Sequence, residues 1–379
     1  MDSKVYDVLI IGGGLAGLSL ACQLAAAKRK VALFERKKYP FHRVCGEYVS
    51  MESWNFLHRI GLDLNSVLLP RITTLQVSSV TGNMLQHSLT PGGFGISRYM
   101  LDASLAELAK KKGACLFEEH RVDEVLEENN MFTVLIGEKA FTAKVLIGAF
   151  GKRSNMDKKM RRNFSAVAQS PSKNWVGVKY HIKADLPAHI IQLHNFNGGY
   201  CGISKVEEDQ YCLCYLTKAE NLRKYNGNIP LMEEKLLSKN PFLKKYFCDR
   251  NNFLFQEPET ISQISFDRKL AVEQHVLMVG DAAGMIAPLC GNGMSMALHA
   301  SSICFPLIER FLSNRITRYK MEDEYRKHWS SAFSLRLKMG RILQPLLVNS
   351  TLSRPAISFL QNFPLIVNKL VLATHGQSF

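Results

Sequence analysis

The chain opens with apolar runs whose period changes from strand to helix and back. Lys4 to Ile11 is a short apolar run that fits a buried strand, Leu15 to Lys28 reads as a helix, and Lys30 to Glu35 is a second apolar run. Glycines separate the first strand from the helix, so the opening predicts a βαβ unit with its turn at the carboxyl edge of a parallel sheet. Strand-like runs follow at Ile72 to Val80 and Met84 to Leu89, then a helix over Arg98 to Lys112. Short β signals at Cys115 to Glu119, Val122 to Glu127, Met131 to Ile136 and Ala143 to Phe150 read as a meander. The polar, basic stretch Lys152 to Arg162 marks a crossing near residue 160. Alternating runs at Trp175 to Ile182, Ile190 to His194, Gly199 to Ser204 and Tyr211 to Thr217 predict an antiparallel sheet in a second lobe. A helix around Leu231 to Ser238 is expected next. Strand His275 to Gly280 and a long helix from about Gly293 to Leu312 then return the chain to the first lobe. From Met321 the pattern is helical and basic, and Pro345, Pro355 and Pro364 are expected to cut it into short segments. The fold class is therefore α/β. A first lobe is built from 1–70, 98–160 and 269–320, and a second from 71–97 and 161–268; 321–379 is a helical C-terminal segment.

Composition fits this two-lobed picture: 379 residues with 46% hydrophobic and 21% charged supply a large core. The net charge of +15 is unevenly spread. Tyr325 to Phe379 contains no acid, while Arg326, Lys327, Arg336, Lys338, Arg341, Arg354 and Lys369 carry seven positive charges. Nine cysteines without a CxxC suggest neither a disulfide framework nor a zinc site, so no metal and a reducing, cytoplasmic compartment are expected. The uncharged run Val8 to Ala27 resembles a membrane span or signal peptide by hydropathy alone, but Gly12, Gly13, Gly14 and Gly17 break any single helix there.

Gly12, Gly14 and Gly17 form GxGxxG between strand and helix, with Glu35 eighteen residues beyond the last glycine. The first glycine permits a tight turn, the second lets a pyrophosphate approach the backbone, and the third allows close helix–strand packing. The helix N-terminus then faces the anion, and Glu35 can accept hydrogen bonds from a ribose. This motif alone fits FAD or NAD. A second segment separates them: Val279-Gly280-Asp281-Ala282-Ala283-Gly284, followed by Pro288-Leu289-Cys290-Gly291-Asn292-Gly293-Met294. An aspartate at that strand end can hold a ribitol hydroxyl, which NAD lacks, and the following helix would aim its positive end at the flavin ring.

Both segments, in this order, resemble the flavoprotein superfamily that includes p-hydroxybenzoate hydroxylase, flavin-dependent halogenases and geranylgeranyl reductases. The resemblance covers most of residues 1–320 and includes Arg98 with Leu101-Asp102, where members of the family place an arginine near the FAD phosphates. Arg43-Val44-Cys45-Gly46-Glu47 and the Pro288 to Met294 run look most like the geranylgeranyl reductase branch, which implies a cysteine, Cys45, beside the flavin and makes it the candidate catalytic residue, with a buried packing cysteine as the plainer reading. Two departures stand out. The family's mid-chain Asp-Gly motif is Phe150-Gly151 here, which leaves the electron donor open between NAD(P)H and another reductant. The halogenase WxWxIP signature is missing, which argues against halogenation.

The implied architecture is a glutathione-reductase-like, Rossmann-type FAD domain interleaved with an antiparallel substrate domain. The expected FAD contacts are Gly12, Gly14, Ala16, Gly17, Glu35, Arg36, Arg43, Cys45, Gly46, Arg98, Asp102, Val122, Gly151, Gly280, Asp281, Pro288, Gly291, Gly293 and Met294. The leading functional reading is hydride transfer from reduced FAD to a carbon–carbon double bond of a lipophilic substrate; the alternative is a monooxygenase acting on an aromatic or polyketide-like compound. A flavin-binding module without turnover is a third class. His42, His181 and His194 are read as solvent or packing histidines, Cys212 and Cys214 as core filling on one strand face, and Cys290 as a small packing residue. Lys152, Arg153, Lys158, Lys159, Arg161 and Arg162 are read as a solvated linker, with reception of an anionic donor as the sharper alternative. Nucleic acid is not expected, because the basic segments lack a reading module. For the tail, a solvated cap over the second lobe and peripheral docking on an anionic membrane through residues 325–379 both fit.

Overall fold

The strand signals assemble into two sheets of eight strands, and the chain passes between them several times. The computed structural model describes residues 4–152, 154–162 and 174–379. The first sheet centres on β1 (Lys4–Ile11), flanked by β2 (Val31–Phe34) on one side and β9 (Lys139–Gly148) on the other, both parallel to it. Beyond β9 lies β16 (Val276–Met278), also parallel, and then the edge strand β15 (Val272–Glu273). On the far edge β6 (Cys115–Phe117) pairs parallel with β2, so it belongs to the parallel core rather than to the expected meander. The true meander is β7 (Glu124–Glu128), β8 (Met131–Ile136) and β9. Four apolar residues on each side, Val8 to Ile11 against Val31 to Phe34, set the β1–β2 register and bring both strand ends to the same edge.

Helix α1 (Leu15–Ala26) crosses this sheet with ten of its twelve residues buried. It lies against the long helix that closes the lobe, where the Ser19 and Ser301 hydroxyls meet at 2.7 Å and satisfy each other in the dry interface. The short α2 (Trp54–Arg59) and the longer α3 (Arg98–Lys111) complete this lobe. The basic linker folds into α4 (Asn155–Lys159), started by a capping box in which the Ser154 hydroxyl accepts from the Met156 N–H. One expectation fails here. Arg162 is fully buried; it pairs with Asp157 at 3.0 Å and with Glu273, and it donates to the Ala282 carbonyl at 3.0 Å. Arg153 lies outside the described residues.

The second sheet runs in the order β14 (Glu259–Ile264), β10 (Trp175–Ile182), β13 (Tyr211–Lys218), β12 (Gly199–Lys205), β11 (Ile190–Phe196), β4 (Arg71–Ser78), β5 (Met84–Gly95) and β3 (Tyr48–Ser50). Its pairs are antiparallel except β11 with β4, which the chain reaches by separate excursions from the first lobe. Because β3 belongs to this sheet, the chain first leaves the first lobe before residue 70. Three short helices, α5 (Ala219–Lys224), α6 (Ile229–Lys235) and α7 (Pro241–Phe247), cover one face through a cluster that includes Met232, Leu243, Phe247, Phe196 and Tyr215.

After α8 (Gly293–Leu312) the chain forms α9 (Arg318–Val348), α10 (Ser350–Asn362) and α11 (Pro364–Thr374). The prolines cut less than expected. Pro345 lies in the last turn of a helix of 31 residues and Pro355 within α10, and neither ends its helix, each giving up only its own N–H bond to the preceding turn. Pro364 starts α11, where its missing N–H is one of the unpaired donors of a first turn. Ile357, Val367 and Val371 pack with Leu85, Leu89 and Ile191, so α10 and α11 roof the face of the second sheet opposite α5 to α7.

Candidate active site

A cavity of about 900 Å³ runs between the lobes, near the upper end of the range of roughly 300–1,000 Å³ usual for ligand sites. Its floor is the carboxyl edge of the parallel sheet. Gly12 takes a φ of +108°, and a Cβ there would lie 2.4 Å from the Ala149 carbonyl oxygen. Gly17 has a different job: a Cβ on it would lie 2.2 Å from the Gly12 carbonyl oxygen, so its absence lets α1 press against the turn. Gly17 is therefore a packing residue and does not line the cavity, unlike Gly12, Gly14 and Ala16. The α1 N-terminus begins at Gly14 with no side-chain cap and no acid in its first turn, which leaves its N–H groups to an anion.

Arg43 and Arg98 converge on the same turn. Arg43 donates to the Gly13 carbonyl at 2.9 Å and to Glu35 at 3.0 Å, and its Nε pairs with Asp102 at 2.8 Å. Arg98 grips the same Asp102 through two bonds of 2.8 Å. Asp102 is buried beneath both guanidinium groups and does not face the cavity, so it sets the arginines rather than touching a ligand. Glu35 accepts from the Gly13 N–H at 3.0 Å and the Lys37 N–H at 3.1 Å, and Tyr39, unmarked by the sequence motif, donates to the Gly13 carbonyl at 2.5 Å.

The distant Gly-Asp segment closes the other side. Gly280 has a φ of +62°, and a Cβ on it would lie 3.3 Å from the Ala16 Cβ, so the Gly280 backbone packs close to the start of α1 although more than 260 residues separate them. Asp281, Pro288, Gly291, Gly293, Met294, Arg36, Val122 and Gly151 line the same cavity. The α8 N-terminus also lacks a side-chain cap, because Asn292 turns away to donate to the Thr374 carbonyl at 2.9 Å. An uncapped helix start at each end of one trough, with bare glycines at Gly14, Gly46 and Gly151 where a Cβ would meet no close neighbour, fits a long cofactor with a pyrophosphate at one end and an electron-accepting ring at the other.

A model of the FAD binding domain matches residues 5–309. The chain belongs to this FAD-binding family. Among curated proteins, it is 23% identical over 401 residues to conditioned medium factor receptor 1 of Dictyostelium discoideum, covering 97% of this chain and 73% of the relative. It is also 23% identical over 370 residues to digeranylgeranylglycerophospholipid reductase 1 of Methanococcoides burtonii, covering 89% and 83%. Among solved structures, the flavin-dependent brominase Bmp2 superposes with a TM-score of 0.78 at 17% identity, over 98% of this chain and 94% of that one. The protein is an FAD-dependent oxidoreductase or monooxygenase of the superfamily that its motifs resemble.

Beside the ring end of this flavoprotein's trough lies a cluster that sequence reasoning missed. Glu47, wholly buried with a φ of +55°, accepts from the Arg98 N–H at 2.7 Å, pairs with Lys179 Nζ, and meets His181 Nε2 at 2.6 Å. Burial pushes the Glu47 carboxyl up, but the Lys179 charge and the His181 contact outweigh it and hold the pKa at about 2. For Lys179, burial works against the charge, yet Glu47 raises its pKa above the usual value. His181 is therefore a member of an ion cluster rather than a packing histidine. Cys212 joins the group, with its sulfur, Glu47 and His181 all within 4.8 Å. Burial raises that thiol well above the usual range, it donates to the Cys45 carbonyl at 3.2 Å, and the Lys179 ammonium is ion-paired with Glu47. The available signal was Lys179 and His181 at period two on a strand buried on both faces, a place where charged groups need partners.

The cluster fixes the 43–47 loop. Cys45, half-buried, brings its sulfur to 3.2 Å from the Met294 sulfur on the cavity wall. Cys290 is buried, and burial pushes its thiol up to about 12. Cys214 lines the cavity while Cys212 does not. His42 stacks on Tyr99 at 4.7 Å, and its pKa is lowered by burial and then by Lys179. His194 is buried against Phe242 and bonds Ser78 at 2.8 Å.

Past the loop the cavity continues as a second chamber, walled by Leu85 and Leu89 of β5, Ile191 and Leu193 of β11, Leu343 and Leu347 of α9, and Ile357 and Val371 of the roof. Tyr48 enters this chamber beside Gly291, with its hydroxyl buried and without a hydrogen-bond partner.

Proposed function

We propose that this flavoprotein reduces carbon–carbon double bonds of an isoprenoid-type lipophilic substrate, with NAD(P)H or another reductant as electron donor. The observation that carries this reading is the aliphatic chamber continuous with the flavin trough: a long apolar chain transfers there favourably at about 25 cal/mol per Å² of apolar surface buried. The relative named as a digeranylgeranylglycerophospholipid reductase supports the same substrate class.

Reduced FAD would supply a hydride when bound, and the protein's residues supply orientation. Arg43 and Arg98, held by Asp102, would bind the phosphates; Asp281 would hold the ribityl chain; Cys45 and Met294 wall the ring end. Tyr48 holds its proton at Oη because burial, and then the Glu52 charge, raises its pKa. The Tyr48 ring walls the chamber while its hydroxyl is shut into the protein, so solvent entering the cavity would supply the proton to the carbon opposite the one reduced. The test is anaerobic incubation of the reduced holoprotein with a prenyl lipid, followed by mass analysis. A gain of two hydrogens per double bond is expected. Product that instead carries labelled oxygen in air makes the protein a monooxygenase.

A further inference from the structure

Helices α10 and α11 are apolar on two faces. Their inner residues, Ile357, Leu360, Val367 and Val371, line the chamber. Their outer residues, Leu352, Phe359, Phe363, Leu365, Ile366 and Leu372, are exposed, Leu365 by 79% and Leu372 by 57%. α11, polar only at Asn368, Lys369 and Thr374, is apolar nearly all round and belongs in surroundings that are apolar on more than the one side the protein provides, and α10 adds Leu352 and Phe359 to the same outer surface. The outer face is also cationic. No acid occurs after Glu324, and none of the ion pairs among the described residues involves Lys338, Arg341, Arg354 or Lys369.

We propose that α10 and α11 are an in-plane docking surface for an anionic bilayer. The two helices, of 13 and 11 residues, are about 20 and 17 Å long at roughly 1.5 Å per residue, short of the ~30 Å hydrocarbon core. They meet at 108°, so together they form a bent raft rather than one span. Leu365 and Leu372 enter the acyl boundary while Arg354 and Lys369 meet lipid phosphates. A second copy of the chain fits this face poorly: in a two-fold contact the patch meets itself, and Arg354 and Lys369 would face like charges with no acid to pair with. Because the other side of the raft is the chamber roof, a lipid substrate has only this layer to pass between bilayer and flavin; that consequence, unlike the docking, rests on the lipophilic-substrate reading.

The experiment is flotation of the FAD-loaded full chain with vesicles of phosphatidylcholine alone and of phosphatidylcholine mixed with phosphatidylglycerol, at low and high salt. The wild type is expected to float with the anionic vesicles at low salt and to be released by salt. Arg354→Gln with Lys369→Gln should lower partitioning by more than about tenfold, at about fivefold per cation. Leu365→Glu with Leu372→Glu should abolish flotation while retaining flavin absorbance and the wild-type melting temperature. Failure of the wild type to float, equal flotation with both vesicle types, or unchanged flotation of the folded leucine variant overturns the docking. A dimer in sedimentation velocity that the leucine variant dissociates, without flotation, assigns the face to a second copy and also overturns it. Turnover of a short, water-soluble prenyl substrate needs no vesicle. Its absence in the wild type sinks the reductase reading alone, while loss of flotation sinks the docking alone.

Discussion

Glu47→Gln isolates the buried ion cluster beside the flavin trough. In the wild type the carboxylate is wholly buried between Lys179 and His181, and its pKa is held at about 2 against an ordinary 4.5. That gap of about 2.5 pH units, at about 1.4 kcal/mol per unit, is about 3 kcal/mol of folding stability. Because the folded pKa lies below the unfolded one, the unfolded chain takes up the proton first as pH falls. The contribution is complete above about pH 4.5, shrinks between 4.5 and 2, and is gone below. The substituted amide would not titrate and would leave Lys179 buried without its counter-charge, which costs about 3–5 kcal/mol at neutral pH. Urea unfolding of both proteins should therefore show this gap at pH 7, and below pH 4.5 the gap should narrow by about 1.4 kcal/mol per unit while both remain folded. The variant should also release FAD faster, since Glu47 anchors the loop that carries Arg43 and Cys45. A gap that stays constant from pH 6 down to the acid limit, or a variant as stable as the wild type, would refute the assignment.

Three further substitutions probe separate links. Gly17→Ala forces a methyl to within 2.2 Å of the Gly12 carbonyl oxygen, so it should cost about 1–3 kcal/mol in overpacking and strip FAD on gel filtration; a yellow, fully loaded variant would contradict this. Tyr48→Phe removes a buried hydroxyl that has no partner, so stability should hold or rise by up to about 1 kcal/mol and double-bond reduction should stay within a few-fold of the wild type; a loss of stability above about 1 kcal/mol would mean that the hydroxyl is bonded after all. Arg162→Met strands Asp157 and Glu273 and releases the Ala282 carbonyl, so it should lower unfolding stability by about 3–5 kcal/mol; a loss under 1 kcal/mol would place that cation on a solvated surface after all.

Much of the cofactor cradle was legible because its signals are local. A glycine turn between an apolar strand and an apolar helix leaves few conformations, and the distance from Gly17 to Glu35 is one helix and one strand. The Gly280-Asp281 turn carries the same kind of short-range signature. Local pattern misassigned Cys115 to Phe117, since three strand-forming residues look alike in a meander and at a parallel edge. It also overestimated the prolines, because a proline removes one bond to the preceding turn and the packing of the helix face can outweigh that loss.

What the sequence by itself determined is the opening βαβ unit with its anion-binding turn and the long helices, which follow from φ requirements and periodicity over a few residues, and the flavin, which follows from the Gly280-Asp281 segment and the family it resembles. Tertiary structure alone decided the rest. It turned Asp102 from a contact into the support of two arginines, joined Glu47 to Lys179 and His181 across more than 130 residues, and laid α10 and α11 over the chamber with apolar residues on both faces. Charge pairing and chamber walls depend on which distant strands become neighbours, and the side-chain pattern of one segment carries no record of the segment it will meet.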